Sequence, residues 1–328
     1  MDIITRAGTS QDLKAVAQFW SEHSGWGEMD ESSWEQTFGR TPQGPSELIL
    51  AEIKETGEMI GQFIFLPIPV AIDGREVLAY RPFAPIVKSD LRLQDDSISL
   101  QGVMLQMYLF AVEHLTQLGT ELLYVLPDPR WARLFSFAPF FSLGSFPLMS
   151  IALSALADRP VPAGCKVEAM EFSDARIDDL WAQTKNQYGC LALRNRTFLQ
   201  WKNSHRAYQL WAVKDEKGGL LGSFVSIRKI QQKQCLICDV LCTQEPGAFY
   251  TIVQSALAHL NEQERALPEG EQAMDKIGLL AIPAMVPVLE SLGFEKDKYN
   301  FHLVVHALNP DLSQGLIAPE RWYLSAND

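Results

Sequence analysis

Apolar residues recur at the 3.6-residue helical spacing over Leu100 to Leu118 and Phe249 to Leu260, and in short alternating or unbroken strand-like runs elsewhere. The segments fall into two series with the same order. The first predicts a helix over Asp12 to His23, a hairpin, a strand over Val77 to Val87 and the helix Leu100 to Leu118. It ends with a strand over Leu122 to Pro127, a short helix over Arg130 to Phe137 and a strand over Leu148 to Leu153. The second predicts a helix over Ile177 to Tyr188, a hairpin, a strand over Cys235 to Cys242, the helix Phe249 to Leu260 and a strand over Ile277 to Pro283. A helix over Met285 to Leu292 and a strand over Phe301 to Leu308 close it. The hairpins carry the repeat most plainly, because Ala51, Gly57, Gly61 and Phe63 recur at one constant offset as Ala212, Gly218, Gly222 and Phe224. Each opening helix holds one tryptophan, Trp20 or Trp181. A repeat of this length means two copies of one α/β unit.

The joint between the copies is the stretch 157–164, which holds two prolines and a glycine as linkers do. It divides the chain into an N-terminal domain, 1–156, and a C-terminal domain, 165–328. A length of 328 residues suits two domains, each large enough for its own core. The polar insert Asn261 to Asp275 reads as a surface loop without chemistry.

Composition removes several classes of function. With 47% hydrophobic and 21% charged residues the chain is not disordered. The 28 Lys and Arg against 40 Asp and Glu leave a net charge of -12, without the cationic field of a general nucleic-acid binder. No apolar run approaches the roughly 20 residues that cross a bilayer, and the start lacks the pattern of a secretion signal. The expectation is a cytoplasmic protein with no membrane and no nucleic-acid partner. Five cysteines are too few and uneven for a disulfide framework. Cys235, Cys238 and Cys242 have a spacing open to metal, but on a strand Cys235 and Cys238 point to opposite faces, so core thiols are expected. His302 and His306, four apart on a strand, sit about 13 Å apart, too far for one zinc ion. No metal site is expected.

The order of helix, long hairpin, strand, helix, strand, helix and strand resembles the GCN5-related N-acetyltransferase (GNAT) superfamily. Particular phrases carry the resemblance: Gly61-Gln62-Phe63, Val70-Ala71-Ile72-Asp73-Gly74-Arg75 and Tyr124-Val125-Leu126-Pro127-Asp128-Pro129. Further phrases are Phe198-Leu199-Gln200-Trp201-Lys202, Ser291-Leu292-Gly293-Phe294 and the terminal Trp322-Tyr323-Leu324 with Asp328. The implied fold is α/β with two tandem GNAT-like units, each a mixed, largely antiparallel β-sheet flanked by helices. The implied activity is transfer of an acyl group from acetyl-CoA or another acyl-CoA, with an acyl carrier protein as the alternative donor, to a small-molecule or peptide amine.

In that superfamily the fourth strand parts from the fifth to receive the pantetheine arm. Pro82 and Pro85 suit a strand that leaves its ladder, and the resemblance places Ala84, Ile86 and Val87 along the donor. It places the pyrophosphate against Ser97, Ser99, Gln101 and Gly102, where backbone N–H groups at a helix start would face the phosphates. Asp95 and Asp96 depart from the family pattern there, and Thr243 to Ala248 in the second copy departs further. Acyl transfer to an amine needs a base and, for the leaving thiolate, an acid. The candidates are Tyr80, Tyr124, Asp128 and Asp239. Asp128 also reads as a cap for the helix after it. Asp239, a carboxylate in an apolar strand, either faces a polar cleft or pairs with Arg194, Arg196 or Lys202. Two rival functions stand beside acyl transfer: a non-catalytic GNAT-fold binding module, and an aminoacyl transferase like the Fem enzymes, which the net acidity disfavours.

Overall fold

The computed structural model describes residues 2–88, 100–127, 142–156, 159–203, 207–312, 315 and 317–328. The predicted helix 130–137 and the candidates Asp128, Ser97 and Ser99 lie outside these residues.

The first half contributes β1 (Ile3–Ala7), helix α1 (Leu13–His23), the short helix α2 (Glu31–Trp34) and the hairpin of β2 (Glu47–Ile53) and β3 (Met59–Pro67). After it come β4 (Val70–Ile72), β5 (Arg75–Val77), β6 (Ala79–Val87), helix α3 (Leu100–Gln117), β7 (Leu122–Val125) and β8 (Ser142–Ala152). The second half repeats the plan with β9 (Lys166–Met170), helix α4 (Arg176–Thr184), β10 (Cys190–Ala192), helix α5 (Arg196–Asn203), β11 (Gln209–Lys214) and β12 (Leu220–Lys229). It closes with β13 (Gln234–Cys242), helix α6 (Ala248–Arg265), β14 (Lys276–Leu280), helix α7 (Val286–Ser291), β15 (Glu295–Ala307) and β16 (Trp322–Tyr323).

The strands of the two halves form one mixed sheet in the order β1-β2-β3-β6-β7-β15-β8-β14-β13-β12-β11-β9. The order is the same read inward from either edge, except that each half has given its last strand to the other. β15 of the second half pairs with β7, and β8 of the first half pairs with β14. The joint 157–164 therefore separates the halves along the chain but not in the sheet. A smaller sheet, β16-β10-β4-β5, crosses between them in the same way. A chain ending at residue 156 would leave β7 and β8 with bare edges where β15 and β14 belong, a template for aggregation. Such a fragment is expected to be insoluble or to lack a cooperative unfolding transition by circular dichroism.

β3 reads as an almost unbroken apolar run because both its faces are covered. Phe63 and Phe65 pack under α3 with Val103 and Met107, while Ile64 and Leu66 join the core that holds Phe19 and Trp20 of α1. The repeated glycines have two separate causes. Gly57 and Gly218 take φ of 69° and 82° in the hairpin turns, where a β-carbon is strained. Gly61 and Gly222 lie where the helix descends on the sheet: a β-carbon at Gly61 would sit 3.0 Å from Met107 Cε, and one at Gly222 would collide with Ile252 of α6.

The insert 261–275 differs from the loop expected. Its first turn continues α6, and the buried Glu264 accepts from Arg228 Nε at 2.8 Å, Met274 N at 2.9 Å and the Cys235 thiol at 3.3 Å. A carboxylate serving three donors anchors the insert, which charge counting along the sequence does not reveal. The other two thiols of the cysteine group point elsewhere, Cys238 to Leu236 O and Cys242 to Gln187 Oε1. His306 on β15 meets the Tyr108 hydroxyl of α3 at 2.8 Å, and burial pulls its pKa down to about 4, so a neutral imidazole ties the exchanged strand to the first half.

Candidate functional site

The fourth strand of each half parts from the fifth. Among the described residues β6 pairs with β7 only at Ala79 with Leu122 and Tyr80 with Leu123, and β13 pairs with β14 only from Gln234 with Lys276 to Ile237 with Leu279. Both leaving strands carry an extra residue against the hairpin. On β6 it falls at Ala84 and Pro85, where Ala84 has φ 48°, and on β13 at Cys238. A bulge bends and twists its strand, which is how β6 and β13 leave their neighbours. Pro82 and Pro85 of β6 donate no ladder hydrogen bond, consistent with that departure.

The two gaps are not equivalent. In the second half the terminal segment fills it: Asn327 N donates to Cys238 O at 3.1 Å, and the Tyr323 hydroxyl accepts from Val240 N at 3.0 Å. The same hydroxyl lies 3.0 Å from Asp239 Oδ1 and 2.5 Å from Val240 O, either of which can take its proton. Backbone groups that a bound ligand would use are thus already satisfied by the chain itself.

Behind this plug lies a buried ionic cluster. Arg194, just after β10, donates from Nε to Asp239 Oδ2 at 2.7 Å, from Nη1 to Ala192 O at 2.8 Å and from Nη2 to Ser325 Oγ at 3.0 Å. Its Nη2 also pairs with Asp328, and its guanidinium lies 5.0 Å over the Tyr323 ring. The side chains of Arg194, Asp239 and Asp328 are 2–3% exposed. Burial raises the Asp239 pKa despite Arg194, whereas for Asp328 the opposing pull of Arg194 and Lys202 outweighs burial and leaves it below the usual carboxylate range. Desolvation also drives the Tyr323 and Tyr124 hydroxyls well above the normal phenol range. The Tyr124 hydroxyl has no hydrogen-bond partner among the described residues, and it feels the charges of Asp328, Arg81 and Arg194.

A cavity of about 300 Å³ opens above the cluster. Its polar side is Arg81, Lys202, Asn327 and Asp328, and Phe38, Leu66, Ile68, Phe83, Trp201 and Tyr208 supply its apolar walls. Arg81 and Phe83 belong to β6 itself, so the cavity begins where β6 leaves β7. Desolvation pulls Lys202 down to about 7, Asp328 opposing and Arg81 reinforcing the shift. A lysine so placed supplies neutral amine near pH 7, able to take a proton.

The sequence candidates separate by face. Tyr124 and Asp239 approach this centre from the two halves. Tyr80, one residue out of phase, packs on the other face with α3, where burial and Glu47 raise its pKa. Ala84, Ile86 and Val87 lie on β6 beyond its parting from β7. Gly102 lies in the first turn of α3, and Gln101 beside it. Arg194 and Lys202 are legible in the sequence only as partners for Asp239, and Asp328 only as the end of an apolar phrase. Nothing local in the sequence marks these as one cluster, since the chain brings residues 81, 124, 194, 202, 239 and 328 together from both halves.

No protein-family model and no curated protein matches this chain. Solved structures do resemble it. A GCN5-related N-acetyltransferase from Anabaena variabilis superposes with a TM-score of 0.69 at 12% identity, over 94% of this chain and 73% of that one. A tandem GNAT protein from the clavulanic acid biosynthesis pathway gives 0.61 at 14% identity, over 94% and 99%. The N-myristoyltransferase of Saccharomyces cerevisiae, solved with bound myristoyl-CoA, gives 0.58 at 11% identity, over 94% and 79%. The chain has the GNAT fold. Among the described residues no helix is long and apolar enough to cross a membrane.

Proposed function

We propose that the protein is an N-acyltransferase that takes its acyl group from a thioester lodged where β6 leaves β7, and delivers it to an amine held in the adjoining cavity. The observation that carries this reading is the continuity of the two spaces, Arg81 and Phe83 of β6 lining the cavity directly beyond the parting point. The donor is acetyl-CoA or a longer acyl-CoA, as in the similar transferase solved with myristoyl-CoA. An acyl carrier protein would present the same pantetheine arm.

Asp328 would hold the incoming ammonium and Lys202, neutral in part near pH 7, would take its proton before the amine attacks the thioester carbonyl. The departing thiolate needs a proton in turn. The Tyr124 hydroxyl, kept protonated by burial and without a hydrogen-bond partner among the described residues, is the group of this chain suited to give it. The second half would serve as a binding and scaffolding module, because its own gap is filled by Tyr323 and Asn327.

Calorimetric and thermal-shift titration with acetyl-CoA, a long-chain acyl-CoA and free CoA tests the donor. One equivalent per chain is expected, raising apparent stability by about 2.7 kcal/mol at a hundredfold excess over Kd. Two equivalents would contradict the filled second gap, and no saturable binding by any of the three would remove CoA as donor.

A further inference from the structure

Helix α5 buries Phe198, Leu199 and Asn203, and Lys202, four positions after Phe198, lines the cavity beside β6. Lys202 Nζ lies 5.4 Å from the Phe198 ring and makes neither hydrogen bond nor ion pair among the described residues. Lys88, Lys185, Lys214 and Lys276 differ, since each faces a carboxylate. Desolvation disfavours the charge of Lys202 most strongly, Arg81 of β6 and Arg194 add to that, Asp328 and Asp239 oppose it, and the pKa falls to about 7. Half of such an amine is neutral at pH 7, whereas an exposed lysine with the ordinary pKa near 10.4 is neutral in about one molecule in 2,500. A lysine desolvated in an apolar pocket is the form in which this residue acts as a nucleophile.

We propose that Lys202 is itself an acylation site, taking the acyl group of a thioester when no amine occupies the cavity. The Nζ lone pair forms a C–N bond to the thioester carbonyl carbon, the C–S bond breaks, and the proton that the nitrogen gives up goes to the departing thiolate. The products are an amide on Lys202 and a free thiol, with no other reactant consumed. Phe38, Leu66, Ile68 and Phe83 surround the acyl chain, and a volume of about 300 Å³ accommodates a short apolar one. The amide suits the cavity better than the ammonium does. The charge that burial disfavours is gone, and the amide N–H is a donor of the kind that Asp328 Oδ1 lacks, since Arg194 and Ser325 both donate to Oδ2. An acylated Lys202 takes no proton, so the modification switches off transfer to an external amine. Acylation by a CoA thioester rests on the function proposed above, whereas the nucleophilicity of Lys202 does not, and each has its own probe.

The full chain is incubated at pH 7 in an amine-free buffer with S-hexanoyl-N-acetylcysteamine, which ends like a pantetheine arm but lacks the nucleotide, and separately with acetyl-CoA. Peptide mass spectrometry locates the acylated lysines. The small thioester is expected to acylate Lys202 at least about tenfold faster than any other lysine, because far more of that amine is neutral. In the urea-unfolded chain the preference should vanish, since burial creates it. Acetyl-CoA should place its acetyl group on the same residue, and in K202R the fast phase should be absent. Acylation of Lys202 no faster than that of exposed lysines, or a preference that survives unfolding, would overturn the assignment. Mapping on the unaltered chain decides the matter even where K202R fails to fold. If acetyl-CoA binds by calorimetry and neither thioester labels Lys202, the acylation site falls and acyl transfer stands. If the small thioester labels Lys202 selectively while acetyl-CoA neither binds nor labels, CoA falls as donor and the acylation site stands.

Discussion

Replacing Arg194 by methionine is expected to cost about 3–5 kcal/mol of stability at pH 7, the penalty of leaving buried carboxylates without their cation. The side chain is 2% exposed and serves Asp239, Asp328, Ser325 and the Ala192 carbonyl at once, so no water replaces it. The pH dependence distinguishes this from a packing defect. Burial pushes both carboxyls upward; Arg194 opposes it at each, and at Asp328 Lys202 helps reverse it. Without Arg194 both folded-state pKa values rise, and the folded variant binds protons more tightly than its unfolded chain. Stability of the variant then improves, relative to the unaltered protein, as pH falls from 7 towards 5. Urea unfolding at the two pH values measures the gap; a gap that stays constant or widens on acidification would show that the carboxylates are not its source.

Acyl transfer should depend on Lys202 more steeply than binding does. With a pKa of about 7, the lysine is expected to give kcat/KM that climbs through pH 7 and levels above it. K202M should lose about 100- to 10,000-fold in kcat, the usual share of a positioned base. K202R should lose nearly as much, because arginine keeps the charge but does not give up its proton below about pH 12. Acyl-CoA binding should persist in both, since Lys202 lines the acceptor cavity rather than the β6 parting. Steady-state rates from pH 6 to 9 discriminate: a K202R enzyme with unaltered rate and profile would remove Lys202 as the base.

The bulge at Ala84 and the prolines around it show how a local sequence feature becomes a structural one. Two prolines spaced three apart withhold two ladder donors from one strand, so a strand that leaves one neighbour, as β6 does, is suggested by the sequence alone. The matching bulge at Cys238 is not, because a cysteine in an apolar strand carries no such restriction. The plug in the second gap is equally hidden, since Tyr323 and Asn327 are ordinary residues whose effect lies wholly in where the terminal segment is laid.

Periodicity and the repeated glycines determined the order of the main described helices and strands, because both follow from local rules: the spacing of buried positions, and sites where a β-carbon is strained or crowded. The exchange of β8 and β15, and with it the merging of two sheets into one, was decided only in three dimensions. Strand pairing is chosen between edges that are far apart in the chain, and an apolar strand of either half reads the same whichever edge it joins. The cluster of Arg194, Asp239, Asp328 and Lys202 was decided there too. Its members are separated by up to 134 positions between Arg194 and Asp328, and their charges acquire meaning only after burial removes the water that would otherwise screen them.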